Sequence, residues 1–131
     1  MTTADRLFTL RGTVPFDRLR ASELTVISEV VRERVWQPGD VICPAGEPVA
    51  NLYITSDGGA RFAGGDVLEP VFGAVSLLFD RPTPEPVIAD QASGSRTLII
   101  PKRHFFTIIN ECPGLLVGFF ETAGDAVSAR L

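Results

Sequence analysis

Few residues of this chain have the type and spacing that chemistry needs. His104 is the only histidine, and no Cys, Asp or second histidine stands at ligand spacing from it. It reads as a helix-start residue, and no metal site is expected. Ser76 lies in Val75-Ser76-Leu77, outside any GxSxG context and without a candidate base, so it is not read as a nucleophile. Asp40 and Glu47 sit in Pro38-Gly39-Asp40 and Ala45-Gly46-Glu47. Turn capping accounts for both better than general acid/base work. Trp36 and Tyr53 read as packing residues rather than a stacking platform. No catalytic residue is assigned, and the chain is not read as an enzyme. The most informative stretch is Phe72-Gly73-Ala74-Val75-Ser76-Leu77-Leu78, with Arg81 and Thr83 behind it.

Bulk properties narrow the class of partner. The 131 residues suffice for one domain with one core. The net charge is −4, and the only basic cluster is the corner Lys102-Arg103-His104. Nothing resembles an electrostatic footprint for nucleic acid. The apolar runs are too short for a bilayer, which needs ~20 residues, so no membrane insertion is expected. The N-terminus lacks a basic start followed by an apolar run, and a cytoplasmic location is expected. Cys43 and Cys112 fit no metal spacing and read as small hydrophobes rather than a disulfide.

Three zones are expected within a single domain spanning 1–131. Residues 1–33 read as helical: Leu24, Ile27 and Val31 recur at helical spacing behind Ser22, a candidate N-cap. Val14-Pro15-Phe16 and Leu19 form a turn before that helix. Residues 34–100 carry short apolar segments at Val35-Trp36, Val41-Cys43, Leu52-Ile54, Ala60-Phe62, Val67-Leu68, Val87-Ala89 and Leu98-Ile100. Glycines punctuate them, which predicts a compact β-roll. Gly64-Gly65 predicts a hairpin turn with positive φ at both positions, and Gly59 a strand end. Arg81-Pro82-Thr83-Pro84-Glu85-Pro86 is too rich in proline to enter a sheet interior. Residues 101–131 predict two helices. Phe105, Ile108, Ile109 and Cys112 form the stripe of the first. Pro113-Gly114 breaks it, and Leu116, Phe119, Phe120, Ala123 and Val127 face inward in the second.

The order helix, β-roll, two helices resembles the cyclic-nucleotide-binding domain of catabolite-activator-type regulators, kinase regulatory subunits and gated channels. The residues that carry the resemblance are Val14-Pro15-Phe16 with Leu19, Pro38-Gly39-Asp40-Val41-Ile42, Gly46-Glu47, Leu52-Tyr53-Ile54, Phe72-Gly73, Ser76-Leu77-Leu78, and Phe105 with Ile108-Ile109. It covers about residues 8 to 121. Ser76-Leu77-Leu78 followed by Phe119-Phe120 looks closest to the N-terminal sensor module of bacterial multidomain signalling proteins. The fold class implied is mainly β with flanking helices: a double-stranded β-helix or jelly-roll type of β-roll, with an N-terminal helix and two C-terminal helices.

The resemblance also implies a ligand site. In that family the turn after Phe-Gly presents backbone N–H groups to a cyclic phosphate, a glutamate in the turn accepts from the ribose 2′-OH, and a later arginine pairs with the phosphate. Here Gly73 is kept, Ala74 stands at the glutamate position and Thr83 at the arginine position. Each missing charge-assisted hydrogen bond is worth ~1.5–3 kcal/mol, so the turn is degenerate or altered. Pro70 further removes a donor near the mouth. The expected ligand-binding set is Phe72, Gly73, Ala74, Val75, Ser76, Arg81 and Thr83, with Arg81 a possible replacement cation. No cofactor is expected; a cyclic nucleotide or other small anion is the candidate ligand. The leading expectation is a non-enzymatic sensor module that signals through its C-terminal helix. A working cAMP or cGMP receptor is the second reading. The third is a protein-interaction or dimerisation module that self-associates or binds a protein through that helix.

Overall fold

The computed structural model describes residues 2–122 and 130–131. Its elements are α1 (Thr3–Arg11), a single 3-10 turn (Phe16–Arg18), α2 (Ala21–Val30), β1 (Arg32–Trp36), β2 (Val41–Cys43), β3 (Asn51–Gly58), β4 (Ala60–Phe62), β5 (Val71–Phe72), α3 (Ala74–Phe79), β6 (Val87–Ala89), β7 (Ser95–Pro101), α4 (Lys102–Glu111) and α5 (Pro113–Thr122). A four-stranded sheet runs β1-β7-β3-β5 and a three-stranded sheet runs β2-β6-β4. All pairings are antiparallel.

The turn residues explain why so short a set of strands closes into a roll. Asp40 accepts from the Gln37 N–H at 2.8 Å, fixing the Pro38-Gly39 corner. β3 ends at Gly58 with φ +70°, and there the chain passes directly over the Gly94 carbonyl. The Ile42, Ile54, Phe62, Val87 and Leu98 side chains are buried in the core. Trp36 closes one end, its indole N–H donating to Thr97 Oγ1 at 2.9 Å. Arg81–Pro86 lies outside every strand, as the prolines require.

The helices join through aromatic rings. Phe119 of α5 meets Phe16 at 5.9 Å and Phe105 of α4 at 5.6 Å between centroids. α5 therefore bridges the 3-10 turn and α4. It approaches the first of these very closely: a Cβ at Gly118 would lie 2.5 Å from the Pro15 Cβ.

Several expectations need correction. The N-terminal zone holds two helices. α1 turns Leu7 and the fully buried Leu10 to the core and leaves Phe8 84% exposed; a capping box holds its start, Thr2 and Asp5 satisfying each other's amides at 3.0 and 3.2 Å. Ser22 is not the cap of α2. The helix begins a residue earlier, and Glu23 accepts from the Arg20 N–H at 3.0 Å. Val67-Leu68 forms no named strand and touches β4 through one bridge, Arg61 to Val67. The strand beside β3 is Val71-Phe72 instead. At the hairpin only Gly65 takes positive φ, +115°. In α5 Leu115 is buried and Phe120 is 52% exposed, because the helix packs on one side only. Ala123 and Val127 lie outside the described residues.

Replacing Gly118 by Ala should lower stability by about 1–3 kcal/mol, since the Pro15 ring must give way. Urea unfolding monitored by Trp36 fluorescence measures this; an unchanged midpoint would show that α5 does not sit against Pro15.

Candidate functional site

The Phe72–Ser76 turn is built from the roll outward. Phe72 stacks on Tyr53 of β3, with centroids 5.0 Å apart and planes 13° from parallel. Gly73 follows at φ +106°, and a Cβ there would lie 2.9 Å from the Asn51 carbonyl oxygen. Only glycine lets the chain reverse this close to β3. Ala74 opens α3.

Ser76 is buried, and its hydroxyl is fully used. It accepts from the Val49 N–H at 2.9 Å and donates to the Arg81 carbonyl at 2.7 Å. The Arg81 N–H returns a bond to the Ser76 carbonyl at 3.2 Å. Thr83 is buried as well; its hydroxyl and its N–H both donate to the Glu47 carbonyl, each at 3.0 Å. The Gly46 N–H donates back to the Thr83 carbonyl at 2.9 Å. The Ser76 and Thr83 side chains thus fasten loops to one another. Arg81 joins the turn through its backbone, while the residue as a whole is exposed.

A cavity of about 510 Å³ borders the turn, a size suited to a small molecule. Its walls include Val14, Val71, Phe72, Ala74, Phe119 and Leu131. Among the described residues that line it, Glu69 alone has an ionisable side chain.

Arg130 and Leu131 were not anticipated at this site. Leu131 is 2% exposed, and its main-chain oxygen accepts from the Ser76 N–H at 3.2 Å. Arg130 pairs with Asp66 at 3.0 Å and with Glu85, and its guanidinium lies 4.3 Å from the centre of the Phe62 ring. Glu85 also accepts from the Gly64 N–H at 2.7 Å. One sequence signal was available: Arg130 is the only Lys or Arg after Arg103.

The titrations agree with structural roles. The Arg130 hydrogen bond, then the Gly64 amide, holds the Glu85 carboxyl below its ordinary value. Burial pushes the Cys43 thiol and the Tyr53 hydroxyl up to about 12 each, so neither offers a reactive anion near neutral pH. Both cysteines are free. Among the described residues no group of three or more His, Cys, Asp or Glu could hold a metal, and no helix is long and apolar enough to cross a membrane.

Comparison with known proteins gives a consistent architecture at low identity. No family model matches the chain, and no curated protein matches it. Solved structures do. The regulatory subunit of a cAMP-independent protein kinase A from Trypanosoma cruzi, bound to guanosine, superposes with TM-score 0.76 at 19% identity over 95% of this chain and 47% of that one. PKAR CBD2 with bound Sp-2Cl-cAMPS gives 0.71 at 17% identity, over 93% and 89%. The catabolite activator protein of Thermus thermophilus gives 0.67 at 20%, over 82% and 55%. The fold is that of the cyclic-nucleotide-binding domain. The chain spans about half the length of the kinase subunit and of the activator. The two sheets and flanking helices are the β-roll architecture that the resemblance implied.

Replacing Ser76 by Ala should destabilise the domain by about 1–3 kcal/mol, because the buried Val49 donor and Arg81 acceptor lose their partner. Chemical denaturation tests this, and a change within about 0.5 kcal/mol would contradict it. Glu85 sets a pH dependence. Its carboxyl is depressed in the fold, so its contribution is present above the unfolded pKa and is lost as pH falls through the folded one. Glu85→Gln should remove that part of the acid-side loss of stability. Identical pH profiles for the two proteins would show that the Arg130 pair contributes nothing.

Proposed function

We propose that this chain is a non-enzymatic regulatory module of the cyclic-nucleotide-binding fold whose pocket is altered, and that it reports occupancy through its C-terminal segment. The observation that carries this reading is Thr83. It stands where the phosphate-pairing arginine belongs, and its buried hydroxyl is committed to the Glu47 carbonyl. Ala74 supplies no acid for a ribose, and the exposed Arg81 contributes its backbone to the turn. Losing two charge-assisted hydrogen bonds weakens a ligand by roughly a hundredfold or more. The guanosine on the Trypanosoma cruzi subunit supports the same view, since that ligand is a nucleoside without phosphate.

Coupling to a C-terminal segment follows from contact. Leu131 touches the turn through the Ser76 amide, and Phe79 at the end of α3 faces Phe120 of α5 at 6.0 Å. A shift of the turn moves both, which biases a two-state equilibrium if a ligand prefers one state. A cytoplasmic setting is part of this proposal.

A second reading, a protein-interaction or dimerisation module, is favoured by one feature. Phe79, Val117 and Phe120 are each more than half exposed. Analytical ultracentrifugation of the wild type and of Phe120→Ser separates the two: a dimer that Phe120→Ser dissociates would favour this second reading.

Calorimetric titration with cAMP and cGMP, run to millimolar ligand, tests the altered pocket. The expected result is no binding in the micromolar range. Micromolar binding of either nucleotide would contradict the reading and make the chain a working cyclic-nucleotide receptor.

A further inference from the structure

One corner of the β-roll already holds a ligand-like group, and that group is a cation. The Arg130 guanidinium rests on the face of Phe62, which is itself fully buried, while Asp66 and Glu85 pair with it. Phe62 ends β4, Asp66 follows the Gly64-Gly65 turn, and Glu85 lies in the proline-rich loop two residues past Thr83. Two segments, the Phe62–Asp66 turn and the proline-rich loop, converge on one planar cation. The next residue, Leu131, is buried against the turn and caps the Ser76 amide with its main-chain oxygen.

We infer that this corner is the mouth of the ligand site and is charge-inverted relative to an anion site: it takes a guanidinium group followed by an apolar residue, and Arg130-Leu131 occupies it as an internal ligand. The chemistry favours that assignment on three counts. An aromatic face attracts a planar cation. Two carboxylates offer acceptors matched to a guanidinium fork. A cyclic phosphate entering here would face Asp66 and Glu85 and would have to displace Leu131 from the Ser76 amide. The competing ligand is therefore an arginine side chain presented by a peptide. This deepens the proposed function, since it rests on the roll mouth being the ligand site.

The test uses the full chain and amide NMR. Arg130→Gln keeps length and polarity and removes the charge. It should shift the Gly64 and Ser76 amide signals and speed their hydrogen exchange by about tenfold, while the Trp36 indole signal stays in place and reports an intact fold. Arg130→Lys should fall between the two, because an ammonium lacks the fork. Acetyl-Ser-Ala-Arg-Leu, added at millimolar concentration to Arg130→Gln, should return both signals toward their wild-type positions. Acetyl-Ser-Ala-Gln-Leu should not. Unchanged Gly64 and Ser76 signals in Arg130→Gln would overturn the inference, as would equal responses, or none, to the two peptides. Nucleotide calorimetry reports on the altered pocket separately, so a failure of that reading is distinguishable from a failure of this one.

Discussion

The Ser76 hydroxyl is the tie on which the site depends. It holds the Val49 amide on one side and the Arg81 carbonyl on the other. Those two bonds lock the loop before β3, the short helix after Gly73 and the proline-rich loop into one body. Ser76 is buried, so the bonds act in a low dielectric and an unmet partner is expensive. Gly73 makes the tie reachable, because its positive φ turns the chain back over the Asn51 carbonyl. The turn is thus kept in shape by the protein's own groups. The fold needs no ligand to hold this corner closed.

Charge placement then sets what can enter. The side chains that fasten the turn are hydroxyls, and their hydrogen bonds go to backbone groups. Next to the residue that meets the turn, Leu131, the charged groups that converge are Asp66, Glu85 and Arg130. Arg130 is held there by Asp66 and Glu85 over the Phe62 ring. Among the described residues lining the cavity beside the turn, Glu69 alone has an ionisable side chain.

Much of this architecture is legible in the sequence because it is local. Pro38-Gly39-Asp40 closes its corner through Asp40 and Gln37, three residues apart. The Phe105, Ile108 stripe announces α4, and Pro113 marks the start of α5. Phe72-Gly73 locates the turn because the glycine requirement is set by the adjacent strand. The failures have the opposite character. α1 carries little apolar pattern and is held by a cap. Val71-Phe72 becomes a strand only through pairing with Tyr53 and Ile54, and Val67-Leu68 lacks such a partner along its length. The hydroxyls of Ser76 and Thr83 have partners 27 and 36 residues away, so their structural roles were not visible beside a resemblance that implied ligand contacts. Arg130 meets Asp66 across 64 residues, and no periodicity encodes that distance.

The central claim is that the turn is built and held by Ser76 in the absence of any ligand. Hydrogen exchange at the Val49 amide of the free protein tests it most directly, since that N–H donates to Ser76 Oγ and belongs to no strand. The account predicts strong protection in the free wild type and its loss in Ser76→Ala. A Val49 amide that exchanges in the free wild type as fast as an exposed loop would contradict it.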